Sequence, residues 1–301
     1  MKVLILAIMV VILLLIGFCL WMAGFVTKGK RQTEEEAYAW QKERYDVSFY
    51  DNLEKEDYVV YGDNRYELHV EFIKNPESSG KYVILSHGYT DNHIGSLKYV
   101  QMYMDEGYSC IIYDLRGHGD NKPYQTTYGL LEARDLVCLI KDTRVRYDDL
   151  KILGLHGESL GSATTLTSLQ YKPEVDFVVA DCGFADIENV LRNGYASVHA
   201  PEWLFDLADF GVQMRFKMSL RGMRPIDALG ENKVPILFIH GDADELITPD
   251  NSTRMAKRTA GYSEVHLIKG APHAQSIFTA PQEYKQYVHE FVRKIETNEI
   301  K

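Results

Sequence analysis

Positive charge is scarce in this 301-residue chain, which has 33 lysine and arginine residues against 43 aspartate and glutamate residues and a formal net charge of −10. A protein that binds nucleic acid has to neutralise phosphates with a basic surface, so this balance argues against a nucleic-acid partner. The sequence also has no low-complexity linker, no internal repeat and no loop suited to holding a phosphate group. We therefore expect no nucleotide cofactor.

Cysteine is also rare, with four residues in the whole chain. Cys19 lies in an apolar run, and Cys110, Cys138 and Cys182 fall on a predicted strand, on a predicted helix and after another strand. Three cysteines cannot all pair with one another, so at least one thiol is free and a disulfide framework is not expected. The cysteines therefore do not identify the compartment.

Charged residues are missing altogether from Val3 to Val26. As a helix rising about 1.5 Å per residue, this run is long enough to cross ~30 Å of hydrocarbon. A cleaved signal peptide is the alternative, but its apolar core is usually ~7–15 residues long and ends at small residues spaced like A-x-A. Phe18 directly before Cys19 also argues against a lipoprotein processing site. We predict an uncleaved transmembrane signal anchor with its basic flank over residues 1–31.

A serine lies between two glycines in the segment Gly157-Glu158-Ser159-Leu160-Gly161. A strand-like run over 150–155 precedes it, and a helix-like run over 162–170 follows. This is the context of a nucleophile elbow, in which a sharp strand-to-helix turn exposes the serine hydroxyl. A glycine-rich turn with a capping serine is the alternative. The strand and helix around the motif favour Ser159 as a nucleophile.

Three further strand-like runs end in residues suited to acyl-transfer chemistry. The run over 234–239 leads into His240-Gly241-Asp242-Ala243-Asp244, and the run over 265–268 leads into Lys269-Gly270-Ala271-Pro272-His273. Upstream, the run over 82–86 leads into His87-Gly88-Tyr89. The order serine, acid, histidine is that of an α/β-hydrolase sheet.

In these motifs the chain resembles the α/β-hydrolase superfamily over roughly residues 57 to 297, most closely the membrane-anchored or secreted bacterial members of its serine-peptidase and esterase-like branch. The resemblance implies that Asp244 is the acid and His273 the base of a triad with Ser159. It also implies that the backbone N–H groups of Tyr89 and Leu160 form an oxyanion hole.

Other residues compete for these roles. Asp242 shares a loop with Asp244, and Asp181 or Asp186 could supply an acid from the preceding strand. Glu158 is interpreted as a tolerated residue of the elbow rather than a proton carrier. Four further histidines lie at strand ends, where they could simply satisfy turn carbonyls: His87, His118, His156 and His240.

The predicted fold class is α/β, with a mostly parallel eight-stranded sheet and helices on both faces. Strands are expected near residues 57–62, 66–73, 82–86, 109–113, 151–155, 176–181, 234–239 and 264–268. Helices are expected near 96–106, 129–145, 161–171, 250–260 and 281–296. Residues 32–56 are predicted to be a charged connecting segment, and residues 57–301 the α/β-hydrolase domain.

A modest helical cap is predicted within this domain at residues 186–225, between the sixth and seventh strands. The cap is rich in large apolar side chains, either as ordinary helical core or as the wall of an acyl pocket above Ser159. These side chains are Tyr195, Trp203, Leu204, Phe205, Phe210, Met214, Phe216 and Met218. The second interpretation predicts a substrate with a hydrophobic group.

The motifs together predict hydrolysis of a carboxylic ester or amide through an acyl-enzyme, with a small acyl substrate or peptide and with neither metal nor cofactor. A serine peptidase, an acyltransferase and an inactive membrane-tethered binding protein are the alternatives. Lys28, Lys30 and Arg31 after the apolar run, against Lys2 before it, favour a cytoplasmic domain, whereas the resemblance to exported hydrolases favours the opposite side. The side of the membrane and the oligomeric state stay open.

Overall fold

The computed structural model describes residues 1–77 and 80–300, and eight strands in these residues form one sheet. They are β1 (Lys55–Tyr61), β2 (Glu67–Ile73), β3 (Lys81–Ser86), β4 (Ser109–Tyr113), β5 (Ile152–Glu158), β6 (Phe177–Asp181), β7 (Ile236–Gly241) and β8 (Ser263–Ile268). The strand order is β1-β2-β4-β3-β5-β6-β7-β8. β1 and β2 pair antiparallel, as do β2 and β4, and every other neighbouring pair is parallel. The predicted mostly parallel eight-stranded sheet is confirmed.

Helices lie at the chain start and between most strands. They are α1 (Lys2–Thr27), α2 (Glu34–Lys42), α3 (Ser48–Asp51), α4 (Leu97–Asp105), α5 (Leu130–Arg146), α6 (Leu160–Ser168), α7 (Ile187–Ser197), α8 (Leu204–Phe216), α9 (Asp250–Arg258), α10 (Ser276–Thr279) and α11 (Pro281–Glu296). β7 begins two residues later than predicted, after Pro235, which has no N–H to donate to a ladder. β5 runs three residues further than predicted, because Gly157 and Glu158 still pair with β6.

The helices cover both faces of the sheet. Along β3, Ile84 packs into a core with side chains of α5, α6 and α8, whereas Val83 and Leu85 pack into a second core with α4 and α11. This alternation follows from the period of two in a strand, which sends successive side chains to opposite faces. All three residues are fully buried, as expected for a parallel strand in the middle of an α/β sheet.

The N-terminal helix α1 is long and apolar enough to cross a membrane by length and composition. Its side chains from Val3 to Leu15 are largely exposed. Its last turns are different, because Met22, Ala23 and Val26 are buried in the same core as α6 and α8. The end of α1 is therefore part of the folded domain.

The segment predicted as a charged connection contains α2 and α3. A capping box begins α2, in which the Thr33 hydroxyl accepts from the N–H of Glu36 and the Glu36 carboxylate accepts from the N–H of Thr33. Ala37 and Tyr50 pack into the core on the α4 and α11 face. The N–H of Gln32 donates to the carbonyl of Thr90 at 2.8 Å. This segment is thus held against the domain along its length.

The ion pair between His93 and Asp114, just after β4, predicts a pH dependence of the stability of the fold. Burial lowers the pKa of His93, but its hydrogen bond and ion pair with Asp114, at 2.9 Å, outweigh burial and raise it to about 9. The stability that His93 contributes is complete below its unfolded pKa of about 6.5 and is lost as pH rises through 9. We expect His93→Gln to remove on the order of 3 kcal/mol of this pH-dependent stability.

The measurement is the thermal midpoint of wild type and His93→Gln between pH 6 and pH 9.5. The wild-type midpoint should fall further across this range than that of the variant, since glutamine keeps a donor for Asp114 but does not titrate. Parallel curves for the two proteins would contradict the assignment.

Candidate active site

Ser159 sits at a strained turn between β5 and α6. Its backbone has φ 54° and ψ −110°, a conformation that residues other than glycine rarely adopt. A Cβ at Gly157 would lie 2.3 Å from the backbone of Gly161, and a Cβ at Gly161 would lie 1.9 Å from the carbonyl oxygen of Ser86 on β3. Both glycines are therefore required by close backbone approach.

We expect Gly161→Ala to destabilise the domain by ~2 kcal/mol or more, because β3 and the elbow would have to move apart. Gly194→Ala in α7 is the matched control, since a Cβ there meets nothing within 4 Å. Thermal unfolding of the two variants is the measurement. Equal thermal midpoints for the two variants would contradict the close packing of this turn.

The structure brings the three residues predicted to form a triad into one hydrogen-bonded chain. The Ser159 Oγ lies 3.0 Å from Nε2 of His273, and Nδ1 of His273 lies 2.7 Å from Oδ2 of Asp244. Asp244 and Ser159 are almost buried, at 3% and 9% exposure, while the side chain of His273 is 21% exposed. The imidazole can therefore donate to the carboxylate and accept from the hydroxyl at the same time.

Asp244 has more partners than His273 alone. Its Oδ1 accepts from the N–H groups of Leu246 and Ile247, and its Oδ2 lies 3.2 Å from Nε2 of His240. Burial raises the pKa of Asp244, but the hydrogen bonds from His240 and His273, together with the electrostatic interaction with the His273 ring, hold it well below the usual range. This carboxylate therefore stays ionised at neutral pH.

The competing acids lie in other environments. Asp242 accepts from the N–H of Gly270, Asp181 accepts from the hydroxyls of Tyr99 and Tyr284, and Asp186 caps α7. The Asp186 side chain also pairs with Arg254. The hydrogen bonds of the described residues thus connect His273 to Asp244 and to none of these three.

The turn predicted to supply an oxyanion donor lies over the nucleophile. A Cβ at Gly88 would be 3.8 Å from the Cβ of Ser159. His87 holds this turn, since its Nδ1 donates to the Gly88 carbonyl at 2.8 Å and its Nε2 accepts from the N–H of Leu115 at 2.9 Å. Leu160 is the first residue of α6, where backbone N–H groups have no partner within the helix. Gly88, the residue before Tyr89, therefore lies beside Ser159, and Leu160 directly follows it.

A buried ion pair beside the elbow was not predicted. Lys98 of α4 pairs with the carboxylate of Glu158, and the two residues are 8% and 5% exposed. Tyr99 donates to both Glu158, at 2.6 Å, and Asp181, at 3.0 Å. The pair ties α4 to the residue before the nucleophile. Lysine at position 98 lies on a helix with no motif, so the sequence offered no signal for it.

Two groups of side chains have donor atoms within 4.8 Å of one another, a spacing that a metal ion could use: Cys182, Asp244 and His273, and Glu34, His93 and Asp114. In the first group, His273 and Asp244 already bond each other and Ser159. Burial raises the pKa of the Cys182 thiol well above its usual value. A neutral thiol is a poor ligand, so this arrangement fits proton transfer better than metal binding.

The cap side chains differ in their surroundings. Phe205 is fully buried, whereas Trp203, Phe210 and Met214 are 56%, 50% and 38% exposed. Tyr195 of α7 is partly buried among the core side chains, as are Leu204, Phe216 and Met218. The cap thus contains both core side chains and exposed ones, and the wall above Ser159 stays a prediction.

Comparison with known proteins identifies relatives of this chain. The family model described as serine aminopeptidase, S33, matches residues 77–205. The uncharacterized protein YqkD of Bacillus subtilis (strain 168) is 27% identical over 298 residues, 97% of each chain. The non-heme chloroperoxidase CPO-A1 of Kitasatospora aureofaciens is 23% identical over 266 residues, 75% of this chain and 97% of the relative. The esterase Pf2001 of Pyrococcus furiosus superposes with a TM-score of 0.67 at 25% identity, over 83% of this chain and 96% of the esterase.

Proposed function

This chain belongs to the α/β-hydrolase superfamily, and on that premise we propose that it cleaves a carboxylic ester through an acyl-enzyme formed on Ser159. The main support is the 3.0 Å contact between the Ser159 Oγ and Nε2 of His273. A nucleophile within hydrogen-bond reach of a base, which is itself oriented by a carboxylate, is the arrangement that activates a serine hydroxyl.

In the proposed reaction, Nε2 of His273 removes the proton from Ser159 as its oxygen attacks the carbonyl carbon. The imidazolium that forms is stabilised by Asp244, which also fixes the tautomer that leaves Nε2 free to accept. The backbone N–H groups of Tyr89 and Leu160 stabilise the developing oxyanion. His273 then gives the proton to the leaving alcohol, and water releases the acid through the same base.

An ester is favoured over a peptide as substrate. Alcohols leave more readily than amines, and the structural relative Pf2001 is described as an esterase. The family description names an aminopeptidase, and a carboxylate is one group that could bind the ammonium group of an aminopeptidase substrate. Glu158, the carboxylate nearest to Ser159 in the sequence, is buried and already paired with Lys98. It is therefore not available for that task.

Product partitioning tests the acyl-enzyme. Several esters with the same acyl group and different leaving groups are hydrolysed in the presence of hydroxylamine, and the ratio of hydroxamate to free acid is measured. A common acyl-enzyme predicts the same ratio for every ester. A ratio that changes with the leaving group would contradict it. If acyl transfer to an added alcohol exceeded hydrolysis in water, the acyltransferase alternative would be favoured.

We also propose that α1 is retained as a membrane anchor. Met22, Ala23 and Val26 belong to the domain core, and the Val26 carbonyl accepts a hydrogen bond from the hydroxyl of Tyr128. Cleavage after the apolar run would remove these contacts. The mass of the protein purified from membranes should therefore include α1. A mature N-terminus beyond Thr27 would contradict the anchor.

A further inference from the structure

The outer side of cap helix α8 has an apolar stripe that no described residue covers. The stripe consists of Trp203, just before the helix, and Leu207, Phe210 and Met214, at positions i, i+4, i+7 and i+11. Such spacing places four side chains on one face of a helix. Three of the four are among the exposed large hydrophobic residues of the chain.

The stripe borders the contact between α8 and α1. A Cβ at Gly211 would lie 1.9 Å from the carbonyl oxygen of Cys19 and 3.2 Å from the Cβ of Ala23, so the two helices touch backbone to backbone. Phe210 precedes Gly211 by one residue and is rotated by about 100° around the helix. The apolar surface of α8 therefore continues from the domain core, across the contact with α1, to Phe210 and Met214.

The length of α1 sets the depth of this contact in a bilayer. A transmembrane helix needs about 20 apolar residues to cross the hydrocarbon, which, counted from Val3, extend to Met22. Gly211 packs against Cys19 and Ala23, on both sides of that point. If α1 spans the membrane, the part of α8 around Gly211 lies at the boundary of the hydrocarbon rather than in bulk water.

We propose that the stripe on α8 is a membrane-docking surface, with Phe210 and Met214 in contact with lipid beside α1. This inference rests on the proposed anchoring of α1. Aromatic side chains are frequent at the membrane interface, and the exposed rings of Trp21 and Phe25 stack on α1 with centroids 5.8 Å apart. Exposed cations lie in the last turn of α8 or just beyond the ends of the two helices and can meet lipid headgroups: Lys28, Lys30, Arg215 and Lys217.

The docked position brings the proposed active site to the membrane surface. Gly29, two residues beyond α1, donates its N–H to the hydroxyl of Tyr89 at 2.7 Å. Tyr89 belongs to the turn beside Ser159, and its ring lies 5.9 Å from the ring of Tyr128, at a tilt of 34°. The Tyr128 hydroxyl donates to the carbonyl of Val26 at the end of α1. The segment that follows α1 therefore contacts the proposed oxyanion turn directly, and Tyr128 connects the end of α1 to the same turn.

Tryptophan quenching by lipids brominated in their acyl chains tests the proposal on the full chain in vesicles. The chain has three tryptophans. One reporter keeps only Trp21, with Trp40→Phe and Trp203→Phe. A second has all three replaced by phenylalanine and Phe210→Trp, and a third has Met214→Trp in the same background. The matched control places Val145→Trp in that background, since Val145 is an exposed apolar residue of α5, outside the stripe.

Brominated lipids should quench the Phe210→Trp and Met214→Trp reporters about as strongly as the Trp21 reporter, while the Val145→Trp control is quenched by aqueous acrylamide instead. Quenching of Trp21 without quenching at position 210 or 214 would overturn the docking surface and leave the anchor intact. Reporters at 210 and 214 shielded from both quenchers would mean that a protein partner or a second copy covers the stripe, which also overturns the proposal. If brominated lipids did not quench the Trp21 reporter, the proposed membrane anchor would be contradicted.

Discussion

Ser159→Ala is expected to lower kcat for hydrolysis of a soluble aryl ester by about 10⁴- to 10⁶-fold, because the reaction loses its nucleophile while the remaining donors can stabilise only an attacking water. The fold should be unaffected, since the Ser159 side chain bonds only His273 among the described residues. Steady-state rates of the purified variant, with its thermal midpoint alongside, are the measurement.

Ser162→Ala is the matched control for this prediction. Ser162 lies one turn further along α6, and its buried hydroxyl has no hydrogen-bond partner in the described residues. Its removal should change the rate little. If Ser159→Ala retained most of the activity, or if both variants lost it equally, the proposed nucleophile would be wrong.

Asp244→Asn is expected to lower kcat by about 10⁴-fold, the size of loss that follows when a triad histidine is left in the wrong tautomer. The structural reason is the 2.7 Å bond between Asp244 Oδ2 and Nδ1 of His273. An amide NH₂ at that position would donate to Nδ1, and the imidazole proton would move to Nε2. A protonated Nε2 could no longer accept the hydrogen bond from Ser159. The rate with the same aryl ester is the measurement.

Asp242→Asn provides the control from the same loop. Asp242 accepts from the N–H of Gly270 through Oδ1, and asparagine can still accept there. The variant should therefore retain most of the activity. A larger loss for Asp242→Asn than for Asp244→Asn would reverse the choice between these two acids.

Much of the sheet could be predicted because its strands are short apolar runs with clear ends. β3 and β4 were predicted within one residue of their observed ends, since each is a continuous buried run between polar or glycine-containing turns. The need for glycine at positions 157 and 161 could also be predicted, because a serine on a sharp turn leaves no room for neighbouring Cβ atoms. Local chemistry at strand ends was thus enough to nominate the residues that the structure brings together.

Other features depend on contacts between distant parts of the chain and could not be predicted. The apolar run of α1 indicates a membrane span, but nothing in it shows that Ala23 packs against Gly211 of the cap. The same holds for the pairing of Lys98 with Glu158, which needs α4 to lie beside the elbow. His240 was one of the strand-end histidines that could simply satisfy turn carbonyls. It bonds the Ile247 carbonyl but also lies 3.2 Å from Asp244, because β7 directs it back into its own loop.

Covalent labelling is the most direct test of Ser159 as the nucleophile. The folded protein is treated with a fluorophosphonate, and its intact mass and peptide masses are measured. We expect one adduct per chain, on Ser159. The adduct should be absent from Ser159→Ala, and it should form much more slowly in His273→Ala. Folded wild-type protein that takes up no label, or an adduct on a residue other than Ser159, would contradict this role of Ser159, and the absence of labelling would favour a binding protein with the shape of a hydrolase.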